Sequence, residues 1–521
     1  MLASGEMMKQ AWWETRWFAA TLIALSVVPL LYPDFPPLVD LPSHMGRYQI
    51  ALGNSDLLAR FYKFEWHLSG NLGADLLIVP LSGLLGPEEA TKVVAMLIPP
   101  LLVSGLLAIG RSVDGRLSPT AAMVVPLVYT QPFLFGFLNY MLAVTLAIWA
   151  LHLFRQLGGA GRLGLRAVLM VPLGLLLFIT HAAGWGILGL CAFAGEWVRI
   201  RDAGCRPLGA AGKAALQMTP LLPPLLLLLL WQSGAAGATT GWFLWNRKLI
   251  WTALLFRDLW PVADRLTAVF VAAFALLLLT ARWCRIDRAI GLGSLGVFGA
   301  FLLLPFQVFG SALSDMRLLP VALMLLFIAV QPRTEGRMAQ LVAIAATGLA
   351  VARMAITTAA FTVAGDWQQG QISVLDKVER GARIAVAAGP TCGSAALPRN
   401  DHLGSIAIVR KEAFVNDQFY LPGSVSVVID YPEAGSYASA PSQHLSYDVC
   451  GPAGVELWMS NLPASAFDYV WMLGADPMPP SYADRWHLVA ERPGSRLYRK
   501  IAASGGGTGQ NPALGPKQSA Q

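Results

Sequence analysis

The chain has 521 residues, of which 55% are hydrophobic and 13% charged, and its mean hydropathy is +0.54. That profile excludes a disordered chain and an ordinary soluble domain, and it marks a polytopic α-helical membrane protein. The net charge of +7 is carried by short basic clusters between apolar runs. Such clusters set orientation and touch anionic lipid, so no nucleic-acid partner is implied.

In chain order, apolar runs predict about eleven spans near 14–32, 93–110, 119–131, 138–154, 167–180, 182–198, 214–232, 263–281, 289–309, 317–331 and 338–360. The N-terminus carries Lys9 and has no small-residue cleavage site after Tyr32, so it reads as an uncleaved first span. An outer loop follows over 33–70. The run NLGADLLIVPLSGLLG (71–86) is apolar enough to insert, yet a full crossing there would put the later arginine clusters outside. It is therefore expected to be a half-helix or re-entrant element. Keeping Arg111–Arg116, Arg155–Arg166, Arg199–Lys213, Arg282–Arg288 and Arg333–Arg337 inside places the segments 130–140, 180–186, 233–262 and 311–317 outside. An odd number of spans then places the C-terminus on the opposite side from the N-terminus. The multi-span domain covers 1–365.

After Asp366 the composition turns polar. Runs at 383–388, 405–409, 424–429, 467–473 and 486–491 predict short strands of a small α/β or α+β soluble domain over 366–500. The Gly/Ser/Gln-rich residues 501–521 read as a disordered tail. Of the five cysteines, Cys392 and Cys450 lie in this domain. Outside the cytoplasm they are free to pair, or they are two buried thiols.

The chemistry concentrates in PDFPPLVDLPSHMGRY (33–48), just after the first span. Charged groups near hydrocarbon are costly and point to function. The prolines favour an extended approach and a helix starting near Leu41–Ser43. On that helix Asp40, His44 and Arg47 share one face at i, i+4 and i+7. Asp40 suits a base, or it caps the helix. Asp34 is a further site candidate or plain surface, and His44 touches substrate or orders the loop. At the other outer turns the candidates are Asn139, His181, Asp315 and Arg317. Their competing readings are a backbone hydrogen bond for Asn139, a packing histidine for His181, and a local Asp315–Arg317 ion pair. The segment 241–260 interleaves four tryptophans with Arg247, Lys248 and Arg257. It reads as an interfacial amphipathic helix, or as a lipid-phosphate site beside an acyl groove, and the two are compatible. No Cys/His cluster has metal spacing, so no metal is expected and no cofactor is implied. GLGSLG (291–296) lacks a preceding strand, so it reads as small residues for helix packing.

A first span, an outer loop with an early acidic residue, a multi-span body and a small C-terminal domain together resemble the GT-C class of membrane glycosyltransferases. VDLPSHMGRY (39–48) is similar to the Asp-Glu-x-x-His-type loop start of the protein mannosyltransferase and aminoarabinose transferase branches. Leu41 stands where the second acidic residue often lies. FGFLNYML (135–142) and SDMRLLP (314–320) also look like segments of bacterial relatives of this architecture. The resemblance implies an inverting transferase of the inner membrane, taking sugar from a polyprenyl-phosphate donor to a hydroxyl of a glycan, lipid or protein on the outer face. Asp40 and His44 would be catalytic. Asp34, Arg47, Asn139, His181, Arg247, Asp315 and Arg317 would bind substrate, with the arginines as phosphate clamps. A flippase of lipid-linked saccharide, or a membrane-anchored assembly protein, would share the architecture without needing a base.

Overall fold

The structure is a computed structural model and describes residues 10–230, 238–333, 336–389, 396–420, 425–445 and 451–501. Cys392, Cys450 and the tail beyond Ile501 lie outside the described residues.

Five described helices are long and apolar enough to cross a membrane: Pro87–Asp114, Leu138–Gly159, Leu163–Thr180, Pro261–Thr280 and the helix opening at Arg337. Shorter apolar helices or broken pairs lie at four of the other expected spans, Arg16–Leu30, Ala121–Leu134, Arg288–Leu303 and Leu318–Ala329, and a further one, Gly73–Leu85, at the expected half-helix. Proline and polar breaks shorten them. At about 1.5 Å per residue the 13-residue helix Gly73–Leu85 reaches only about 20 Å, short of the ~30 Å hydrocarbon layer. Gly86, at φ +84°, turns it straight into Pro87–Asp114. Gly291 and Gly293 lie within the helix Arg288–Leu303. A Cβ on Gly293 would sit 3.3 Å from Cys191 Sγ, on the helix Ala182–Asp202. GLGSLG therefore packs helices.

The helix Arg337–Ile372 runs 36 residues, out of the apolar body and into the C-terminal region. There the strands Phe414–Val415, Arg383–Ala388, Tyr469–Leu473, Ser495–Lys500 and Trp486–Arg492 form one mixed sheet in that spatial order. The first three are parallel and the last two add antiparallel. The expected strand over 405–409 is instead the helix Ile406–Lys411. Its start is fixed by Asp417, whose carboxylate accepts from Ser405 N at 3.0 Å and Ser405 Oγ at 2.8 Å. A short apolar run does not by itself separate helix from strand. The strand Ser495–Lys500 has mixed polar composition and escapes the pattern altogether.

The first loop and the C-terminal region are woven together. Tyr62–Phe64 pairs antiparallel with Val427–Ile429. Arg399 donates from Nε to Pro37 O at 2.8 Å and also pairs with buried Asp258. Asp258 lies 3.8 Å from Arg353 of the long helix, and Arg353 holds Asp264 at 2.6 Å. This buried charge network anchors the segment 397–403 against the apolar body.

Candidate active site

The residue Asp40 sits at the N-cap of the helix Leu41–Ala51, and its side chain makes no capping bond. Its backbone is held instead: Val39 N and Asp40 N donate to Leu134 O and Phe135 O at 3.2 and 3.0 Å. Gly136, at φ +86°, lets the two segments approach, since a Cβ there would stand 3.3 Å from Asp40 N. The carboxyl is thus fixed in place with its oxygens uncommitted to the helix.

Beside it stand charged residues from two other segments. Arg317 is a cationic neighbour and Asp401, from the C-terminal region, an anionic one. Burial, reinforced by Asp401 and opposed by Arg317, pushes the Asp40 carboxyl up to about 8. Burial raises Asp401 to about 7, with Arg257 opposing. Two carboxyls that hold protons near neutrality, beside one guanidinium, can exchange protons with a bound hydroxyl.

Arg317 is only 8% exposed. It donates to Ala312 O at 3.0 Å, approaches His181 Nε2 and Ser311 Oγ at 3.3 Å, and lies over Phe137 at 4.1 Å. Among the described residues no carboxylate is within ion-pair distance of it, and its Nε has no hydrogen-bond partner. The other buried cations are spoken for: Arg47 by Asp75, Arg166 by Glu196, Lys248 by Asp315, Arg353 by Asp264 and Arg399 by Asp258. An uncommitted, desolvated guanidinium is a ready anion site.

The remaining sequence candidates divide. His44 lies one turn after Asp40, stacked on Tyr48 and facing Phe419, with a buried Nδ1 that has no hydrogen-bond partner. Burial, Arg47 and His402 keep its ring neutral. His181 caps the helix Ala182–Asp202 through Nδ1, accepting from Ala183 N at 3.2 Å, and turns Nε2 toward Arg317. Arg47 is turned away from an open clamp role: Asp75 takes it bidentately at 2.8 and 3.0 Å, with both side chains buried. Asn139 accepts from Ala74 N at 2.5 Å and donates to Asn71 O and Asp75 at 2.8 and 3.1 Å. It braces the same pair rather than its own turn.

Asp315 does not pair with Arg317. It binds Lys248 Nζ at 2.9 Å, while that ammonium also donates to Phe301 O and Leu304 O. Arg247 is exposed and lies over Phe306 at 4.4 Å, on a helix Trp245–Ala253 flanked by exposed Trp242, Trp245 and Trp260. Asp34 is exposed, with Arg410 as a cationic neighbour. Asp75, Asp258, Arg353, Arg399 and Asp401 are not among the candidates that the sequence offers. Asp75 and Arg353 carried a usable signal, because each is a charge inside an apolar run.

No protein-family model matches the chain, and no curated protein does. Among solved structures, the crystal structure of ArnT from Cupriavidus metallidurans bound to undecaprenyl phosphate aligns with a TM-score of 0.50 at 12% identity, over 94% of this chain and 99% of that one. The cryo-EM structure of the arabinofuranosyltransferase AftD from mycobacteria aligns at 15% identity and a TM-score of 0.43, over 94% of this chain and 40% of that one. The likeness to ArnT is one of fold. The chain therefore shares its overall fold with that membrane protein.

Proposed function

We propose that the protein is an inverting glycosyltransferase of the inner membrane that moves a sugar from a polyprenyl-phosphate donor to a hydroxyl acceptor on the outer face. The observation that carries this reading is the pairing of an uncommitted buried cation, Arg317, with an uncommitted carboxyl, Asp40. The fold of a protein crystallised with undecaprenyl phosphate supports the choice of donor.

Arg317 holds the donor phosphate, and the Phe137 ring and Ala312 O orient the guanidinium. The acceptor hydroxyl gives its proton to ionised Asp40 while its oxygen bonds to the anomeric carbon. The bond from that carbon to the phosphate oxygen breaks, and the electron pair leaves with the polyprenyl phosphate on Arg317. Phosphate is a good leaving group, so one base suffices, unlike the carboxylate pair of hydrolytic glycosidases. A carboxyl raised to about 8 is a stronger base than an ordinary one and is matched to neutral conditions. His44, neutral, borders the acceptor side.

A flippase would use Arg317 but not Asp40. Asp40→Asn therefore separates the two: we expect transfer by the purified protein to fall at least about a thousandfold, with thermal stability level or raised, because the carboxyl makes no cap bond and its ionised form is disfavoured by burial. Near-normal transfer by that variant removes Asp40 as the base. The reading also places the C-terminal sheet outside the cytoplasm. A reporter fused after Lys500 that works only in the periplasm should give signal, and signal from a cytoplasm-only reporter overturns the topology.

A further inference from the structure

We propose that the C-terminal domain completes the reaction centre: Asp401 faces Asp40 across the domain boundary and binds a second hydroxyl of the acceptor, which is therefore a polyhydroxylated saccharide. The inference rests on the transferase reading above and names its acceptor class.

Two strips of chain are laid side by side and pinned at both ends. At one end Arg399 Nε donates to Pro37 O at 2.8 Å. At the other, His44 faces Phe419, whose ring lies 4.0 Å from that of His402. Phe419 N also donates to Ser43 Oγ at 3.3 Å. Asp40 falls between Pro37 and His44 on the first strip, and Asp401 between Arg399 and His402 on the second. The strips have no freedom to slide, because Arg399 is gripped by Asp258 and Leu397 N donates to Asp258 O at 3.0 Å. Gln443 Nε2 holds Asp401 O at 2.8 Å.

The Asp401 side chain remains 19% exposed, Arg257 is its cationic neighbour, and the ring of His444, kept neutral by burial, stands with Nε2 at 3.7 Å from Oδ2. That contact is too long for a hydrogen bond and leaves oxygen lone pairs for a ligand. Asp40 is also partly exposed. The ionisable groups then run in order: Arg317, with its unpartnered Nε, on the apolar-body side, Asp40 beside it, and Asp401 with the neutral His444 on the domain side. This order assigns the sides. The donor phosphate belongs to Arg317, and the acceptor lies between the two carboxyls.

Adjacent carboxyls present a row of acceptor lone pairs, which matches neighbouring hydroxyls on a sugar ring. A serine or threonine side chain offers a single hydroxyl and leaves Asp401 without a donor. In the transfer step Asp401 forms and breaks no covalent bond. It accepts a hydrogen bond from the neighbouring hydroxyl and so turns the reacting one toward Asp40.

The test uses the full-length chain as wild type, Asp401→Asn and Asp401→Glu, each restored to cells lacking the protein and each purified into lipid nanodiscs. Mass spectrometry of surface glycans and glycolipids reads the product, and undecaprenyl phosphate is the binding probe. We expect Asp401→Asn to lower product at least about tenfold with undecaprenyl phosphate affinity unchanged, Asp401→Glu to recover part of it, and the added sugar to sit on a saccharide. Normal product from Asp401→Asn, loss of undecaprenyl phosphate binding together with product, or a sugar attached to serine or threonine each overturns the inference. Failure of the wild type to bind undecaprenyl phosphate, or an unchanged glycan profile without the protein, instead overturns the transferase reading beneath it.

Discussion

Arg47 and Arg317 are two buried arginines, 3% and 8% exposed, the first on the helix Leu41–Ala51 and the second at the start of the helix Leu318–Ala329. Arg47 meets Asp75 bidentately, with Asn139 bracing the carboxylate. Arg317 meets ring faces, a carbonyl and a histidine nitrogen, and no carboxylate among the described residues. By residue type and position in the chain the two stand equal as phosphate clamps. The difference teaches that burial of a cation is not itself a sign of ligand binding. What counts is whether the fold has already supplied the counter-charge: a paired cation holds structure, and an unpaired one waits for an anion.

The sharpest way to break the contrast is to exchange the losses. Arg317→Gln should cut transfer by about 10²–10³, the usual scale for removing one preorganised charge from a transition state. It should abolish undecaprenyl phosphate binding while leaving the melting temperature level or raised, because a desolvated unpaired charge is removed. A fall in stability with binding intact would make Arg317 structural. Asp75→Ala should do the reverse. Stranding Arg47 without its partner should cost about 3–5 kcal/mol in unfolding measurements. A variant as stable as wild type would show that the pair does not brace the loop helix.

A finer test uses pH. The transfer rate needs ionised Asp40, so it should rise with pH through about 8, where that carboxyl titrates. Asp401 opposes ionisation and Arg317 favours it. The acid limb should therefore move to lower pH in Asp401→Asn and to higher pH in Arg317→Gln. Limbs unmoved in both variants would separate these groups from the base. The smallest effect is on stability. Asp40, Asp401 and Asp417 all hold protons more tightly folded than an ordinary carboxyl, at about 8, 7 and 7. Their stabilising contribution is present at low pH and lost as pH rises through those values, so melting temperature should decline from pH 6 to 9. A melting temperature that climbs over that range contradicts the sign.

The sequence read the parts that depend on local pattern. The loop helix after Pro37, the strands at 383–388 and 467–473, and the small-residue packing of 291–296 followed from proline placement and periodicity. It misread 405–409 as strand because the deciding contact, Asp417 on Ser405, comes from twelve residues away. It offered Asp315 and Arg317 as a local ion pair because they are neighbours in the chain, whereas Lys248, 67 residues distant, wins the carboxylate.

By itself, then, the sequence determined an apolar helical body, a polar C-terminal region and a charged, proline-framed first loop, because hydropathy and proline act over a few residues. Only the tertiary structure decided which charges are spent and which are open. Arg399 reaches Pro37 across 362 residues of chain and brings Asp401 beside Asp40. Counter-charges are allotted by long-range packing, and no periodicity in the chain records that allotment.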